Sequence, residues 1–202
     1  MNNNRWRTVD VVVAAVLGVA FGVIFWAWGL LWDGPASAIP LPGRALVYGI
    51  WLVPAVLGPL VIRKPGAGIF TEFVAATVST FFGSPWGLVT LLYGLFQGVA
   101  GEFAFAATGY RSWRLPTAIV GGALAGGAAT LLDVINYYPD TSAAWKWAYA
   151  ALLVLSSAVI AGVGGWLLTR ALAQTGVLDR FPRAATARSY DPGPHMIRAN
   201  GL

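Results

Sequence analysis

The sequence predicts an all-α membrane protein: a compact bundle of six transmembrane helices with both termini in the cytoplasm. Three observations carry this expectation. Hydrophobic residues make up 57 % of the chain and charged residues only 10 %, whereas a soluble domain carries about 25 % charged residues. The apolar residues fall into six runs, most of them long enough at about 1.5 Å per residue to cross a hydrocarbon core of roughly 30 Å. The basic residues gather on one side of those runs. The high counts of Gly (25) and Trp (10) agree, because close helix packing uses small residues and indoles anchor at the bilayer interfaces.

Several function classes drop out early. The chain has no Cys and a single His, His195, which lies in a polar tail, so thiolate chemistry and a His-based metal or proton relay in the core are excluded. No Walker-type phosphate loop occurs, and no Ser-His-Asp set can be assembled. The net charge of +5 invites a nucleic-acid reading, but the basic residues flank the spans and are better explained by orientation. The first apolar run is too long for a signal-peptide core and lacks a convincing cleavage site.

The elements follow in order. After a basic leader, Met1 to Arg7, the first span runs from Thr8 to Leu31. Asp10, Ala14, Gly18 and Gly22 recur every four residues along it and give one small face for close helix approach, either within the protein or against a partner. Trp26, Trp28 and Trp32 cluster at its far end, as an interfacial belt or as the wall of a pocket for a flat ligand. A proline-rich loop, Asp33 to Gly43, leads to a second span from Arg44 to Ile62, with bends expected at Pro54 and Pro59. Arg63 to Gly66 is a sharp basic turn. The third span, Ala67 to Phe82, is short and is closed by Gly83-Ser84-Pro85. The fourth runs from Trp86 to Ala107 with a thin side at Gly94, Gly98 and Gly101. A second basic loop, Gly109 to Arg114, precedes a fifth span from Leu115 to Ile135, which opens with Pro116 at a tolerated position. A polar, aromatic loop from Asn136 to Trp145 then leads to the sixth span, Trp147 to Leu168, where Gly162 to Trp166 is a packing surface or a bend. Residues 1–175 thus form one membrane domain, and 176–202 read as a polar, mobile cytoplasmic tail.

Charge sets the orientation. Arg5, Arg7, Arg63, Lys64, Arg111, Arg114, Arg170 and the tail arginines lie on one side, and only Arg44 and Lys146 on the other. The positive-inside rule puts the first group in the cytoplasm.

The hairpin of the third and fourth spans carries the acids hardest to reconcile with lipid, Glu72 and Glu102. They are expected at similar depth toward the cytoplasmic side, facing protein or a polar cavity. They either bind a ligand or only tie helices together. Gln97 lies deeper, with Tyr93 one turn away on the same face. Asp33, Asp133 and Asp140 read as surface caps or loop residues. The mixture of rings, amides and carboxylates suits capture of a small polar heterocycle better than acid–base catalysis by Glu72 and Glu102, and no enzymatic activity is expected. Six spans without an internal repeat suit a binding subunit better than a large alternating-access transporter.

From Trp6 to Leu172 the chain resembles the substrate-binding membrane subunit, or S component, of an energy-coupling-factor vitamin transporter. The segments that carry the resemblance are VVAAVLGVAFGVIFW from Val12 to Trp26, KPGAGIFTEFVAA, SPWG, LLYGLFQGVAGEFAFA and the YRSW loop. It is most similar to the YkoE type, associated with thiamine or its hydroxymethylpyrimidine precursor. The resemblance implies an S-component-like bundle in a prokaryotic cytoplasmic membrane that captures substrate from outside. A separate coupling membrane subunit and two cytoplasmic ATPase subunits would then drive delivery. No cofactor is implied in this chain, because ATP is used by the partners. The stripe Ala14, Gly18 and Gly22 matches the surface where such proteins meet the coupling subunit. The substrate site is implied in the outer half, at Trp32, Tyr93, Gln97, Asn136, Tyr137 and Trp145, with Glu72 and Glu102 as pocket floor or coupling surface. Two alternatives stay open: an assembly protein whose polar residues only organise the bundle, and a proton-coupled secondary transporter using Glu72 or Glu102.

Overall fold

A computed structural model of the chain describes residues 5–176. The expected tail beyond Gly176, with Arg180, Arg183, Arg188 and His195, and the first four residues of the leader lie outside the described residues. All regular secondary structure among the described residues is helical. Five apolar helical segments are long enough to cross a membrane: Thr8–Asp33, Gly43–Ile62, Val89–Ala107, Leu115–Asn136 and Ala143–Gln174. The sixth element, Ala67–Phe81, is apolar but shorter.

Helix α1 (Thr8–Asp33) buries Asp10, Ala14, Gly18, Gly22, Phe25, Gly29 and Trp32, one residue in every three or four, which is the stripe a 3.6-residue period produces. Between them Val12, Val16, Val19 and Val23 stay exposed, as lipid-facing residues do. The small stripe faces inward, against α3 (Ala67–Phe81), and this corrects its expected role as a partner surface. A Cβ on Gly18 would come within 2.6 Å of Val74 Cγ1, and one on Gly22 within 2.4 Å of Val78 Cβ. Ala14 is likewise fully buried. The close approach is consumed inside the chain.

The second span does not begin as an α-helix. Gly43–Leu52 is a 3₁₀ helix and only Val53–Ile62 (α2) is α-helical. Proline explains the change. Pro54 has no N–H to give the carbonyl of Ile50, which accepts instead from Val53, three residues on. In a 3₁₀ helix residues three apart eclipse one another, so Ala45, Tyr48 and Trp51 all face inward. The segment is pinned to the last span by Ser156, whose hydroxyl donates to Leu46 O at 2.8 Å and accepts from Gly49 N at 3.1 Å. Pro59 acts lower down. Its missing N–H frees the Ala55 carbonyl, against which α3 and α4 (Val89–Ala107) pack through Gly68 and Gly101. A Cβ on Gly68 would stand 2.5 Å from that oxygen, so only glycine fits.

Helix α5 (Leu115–Asn136) packs Gly121 on α4 and Gly122 and Gly126 on the last span, which is continuous: α6 (Ala143–Ser157), a π segment Ala158–Gly164, and α7 (Gly165–Gln174). It starts earlier and ends later than the sequence suggested, and Ser142 caps its start by accepting from Trp145 N. Gly162 is a packing surface, since a Cβ there would meet Ile119 Cα at 2.7 Å.

The basic end of the bundle is tied off by local polar contacts. Buried Asp10 accepts from Lys64 and from Arg7, the latter at 3.0 Å. Lys64 also donates to Arg5 O at 2.7 Å, and Trp6 Nε1 to Pro65 O at 2.9 Å. Arg63 stands over the Trp113 ring at 5.9 Å, and Trp113 stacks on Phe105.

Candidate functional site

At the opposite end, the helices part around a cavity of about 430 Å³, within the range that holds a small molecule. The topology fixes its depth. Trp32 and Asp33 close α1 there, Arg44 opens the 3₁₀ segment, and Tyr137 and Tyr138 follow α5, so these residues form the mouth. Glu72 in α3 and Gln97 in α4 are the lining residues furthest from that end and form the floor.

The walls are aromatic. Trp51 stands edge-on to Trp32, Tyr48 and Trp86, with ring centroids 5.0, 5.1 and 5.4 Å away. Phe25, Tyr93 and Tyr149 complete the lining on other elements. Arg44 lies over the Trp32 ring at 5.1 Å and donates to Trp32 O at 2.9 Å, which holds the charge at the mouth away from the centre.

The polar centre is Asp133. The Tyr93 hydroxyl donates to its Oδ1 at 2.8 Å and the Tyr149 hydroxyl to its Oδ2 at 2.7 Å. Tyr48 and Gln97 line the same cavity. Only 4 % of Asp133 is exposed, so the hydroxyls stand in for water around a buried carboxylate. The Tyr137 and Tyr138 hydroxyls at the mouth are pushed up in pKa, first by burial and then by the Asp133 charge, so both remain neutral donors at physiological pH. A flat cavity wall, three lining carboxylates (Asp33, Glu72, Asp133) and one arginine turned aside suit a flat ligand carrying positive charge or N–H donors.

Of the residues singled out from sequence, Trp32, Glu72, Tyr93, Gln97 and Tyr137 line this cavity. Glu102, Asn136 and Trp145 do not. Glu102 caps α3 from the side of α4, its Oε1 accepting from Gly66 N at 2.9 Å and its Oε2 from Gly68 N at 2.6 Å, which satisfies donors at a helix start. Asn136 is exposed and donates back to Leu132 O at 2.8 Å. Trp145 lies behind the wall, stacked on Tyr149 at 5.2 Å with the rings 9° from parallel. Asp133, expected as a surface cap, is buried and lines the cavity instead. Sequence reading also passed over Arg44, Tyr48, Trp51, Trp86 and Tyr149. The recurrence of Ala45, Tyr48 and Trp51 just before Pro54 was the available signal that the wall residues Tyr48 and Trp51 share one 3₁₀ face.

Comparison with known proteins now places the chain. A family model described as "ABC-type cobalt transport system, permease component" matches residues 9–128, more than half of the sequence. A curated relative, the "Putative HMP/thiamine permease protein YkoE" of Bacillus subtilis (strain 168), is 28 % identical over 175 residues, covering 86 % of this chain and 88 % of that protein. A solved structure described as the "Crystal structure of an S-component of ECF transporter" superposes with a TM-score of 0.87 at 26 % identity, over 91 % of this chain and 94 % of that one. The chain therefore belongs to this family of transport-system permease components, and it is a YkoE-type homologue of the S components of energy-coupling-factor transporters.

Proposed function

We propose that the protein is the substrate-capturing subunit of an energy-coupling-factor importer, taking thiamine or its hydroxymethylpyrimidine precursor from outside a prokaryotic cytoplasmic membrane. The observation that carries this reading is the buried Asp133 carboxylate, held by Tyr93 and Tyr149 inside an aromatic-walled cavity. Thiamine joins an aminopyrimidine to a cationic thiazolium. Rings of Trp and Tyr accept the flat parts, a Trp face attracts the cation by roughly 0.5–2 kcal/mol, and Asp133 complements its charge. The name of the curated relative supports the same substrates. Energy for delivery comes from partners: a coupling membrane subunit and two cytoplasmic ATPase subunits, with the basic end of this bundle on their side.

The test is calorimetric titration of the purified protein with thiamine and, separately, hydroxymethylpyrimidine. Saturable one-to-one binding of at least one is expected. Heats indistinguishable from dilution for both, with a folded protein, contradict the proposal.

A further inference from the structure

Two buried side-chain polar atoms among the described residues have no hydrogen-bond partner: Trp28 Nε1 and Glu72 Oε1. Only Glu72 belongs to the cavity. Its carboxylate is half used. Oε2 accepts from Ala55 N at 2.8 Å, in the first turn of α2, where the N–H groups have no intrahelical acceptor. Oε1 is left over, in a residue that is 0 % exposed. Glu102 is the internal control. Both its oxygens are taken by the backbone at the start of α3, and it lies outside the cavity. A carboxylate whose only task was to cap a helix would look like Glu102.

The residues that flank Glu72 on the cavity side are small. Ala76 stands one turn nearer the mouth on α3, and Gly94 faces it from α4; both line the cavity, and a Cβ on Gly94 would come within 2.4 Å of Ala76 Cβ. The helices are in contact at this point, and no bulky side chain stands between Glu72 and the cavity, while the aromatic walls and Asp133 lie nearer the mouth.

We propose that Glu72 is the specificity-determining acceptor of the site: its Oε1 takes an N–H donor from the edge of the ligand's ring and rejects a ring that presents an acceptor there. This rests on the proposed function and names the group the floor reads, an exocyclic amine on a heteroaromatic ring. Asp133 and Glu72 then divide the work. The carboxylate saturated by hydroxyls complements charge, and the one with a spare oxygen reads hydrogen-bond polarity. Buried polar groups left unpaired are what make such sites selective.

The substitution Glu72→Gln tests this with a readout that capping does not move. Ala55 N–H needs an acceptor, so the amide oxygen takes the place of Oε2 and the NH₂ takes the place of Oε1. The floor changes from acceptor to donor with its shape kept. The probes are hydroxymethylpyrimidine and its 4-oxo analogue, titrated calorimetrically into wild-type and variant protein. Wild type is expected to favour the amino compound by about a hundredfold, and Glu72→Gln to lose about tenfold on the amino compound while gaining on the oxo compound. Equal affinity of wild type for both compounds overturns the proposal without any variant being made, so a variant that fails to fold does not protect it. Glu72→Gln leaving both affinities as in wild type, or losing equally on both compounds, overturns it too, because Oε1 then does not act as an acceptor toward the ligand. If wild type binds neither these two nor thiamine, the reading of function itself fails and this inference goes with it.

Discussion

The two ends of this bundle treat buried charge in opposite ways. At the basic end both buried acids among the described residues are spent on the chain itself: Asp10 on Arg7 and Lys64, Glu102 on the N–H groups of Gly66 and Gly68. At the other end Asp133 is surrounded by hydroxyls on side chains from separate helices, and Glu72 keeps an oxygen free, both beside a cavity. Paired or capping carboxylates lock helices in place, and removing one partner leaves a costly buried charge. Carboxylates held by side-chain hydroxyls beside open space are poised to meet something from outside. The difference separates architecture from recognition within one small bundle, although both ends draw on the same residue types in similarly apolar helices.

The comparison is most strongly tested where packing is tightest. Gly18→Leu should destabilise the protein by about 3 kcal/mol or more, since the new side chain would collide with Val74 and the Thr71 carbonyl. Thermal unfolding in detergent reads this. A stable Gly18→Leu protein would mean that the stripe is not an internal packing surface. Smaller in effect, Gln97→Ala should leave stability nearly unchanged and weaken thiamine by about tenfold, or 1.4 kcal/mol, through loss of the amide at the cavity floor. Trp145→Ala should weaken binding only a few-fold, because that ring acts through Tyr149 rather than on the ligand. Asn136→Ala should change affinity and stability by no more than about 0.5 kcal/mol, as its side chain is exposed and bonded within its own helix turn. A large effect of Asn136→Ala on titration would move the cavity mouth outward.

The bundle was legible in the sequence because the membrane imposes length and polarity on each span. Spans, order and the grouping of basic residues all follow from runs of apolar residues and their flanks. What the sequence hid is the pairing of faces. The stripe at Ala14, Gly18 and Gly22 announces close approach but not the partner, and α3 with Val74 and Val78 is a match no one-dimensional pattern specifies. Asp133 was misread because a carboxylate close to the end of a span usually reaches the aqueous surface, and the hydroxyls that hold it come from Tyr93 and Tyr149, 40 and 16 residues away. Glu72 and Glu102 look equivalent in sequence. Their roles diverge because one faces the start of α2 beside the cavity and the other the start of α3 beneath it. The 3₁₀ face of Tyr48 and Trp51 was missed by assuming an α-helical period where Pro54 forbids its hydrogen bond.

One pair of titrations tests the division most directly: thiamine into Asp133→Asn and into Glu102→Gln, each normalised to its folded fraction. Asparagine keeps an acceptor for one tyrosine but removes the charge from the cavity, whereas Glu102→Gln alters only a helix cap. Asp133→Asn is expected to lose about a hundredfold in affinity, or roughly 2.7 kcal/mol, with its stability little changed. Glu102→Gln is expected to lower the unfolding temperature and to bind thiamine as wild type does. Wild-type affinity in Asp133→Asn together with a hundredfold loss in Glu102→Gln would contradict the account and place recognition at the basic end.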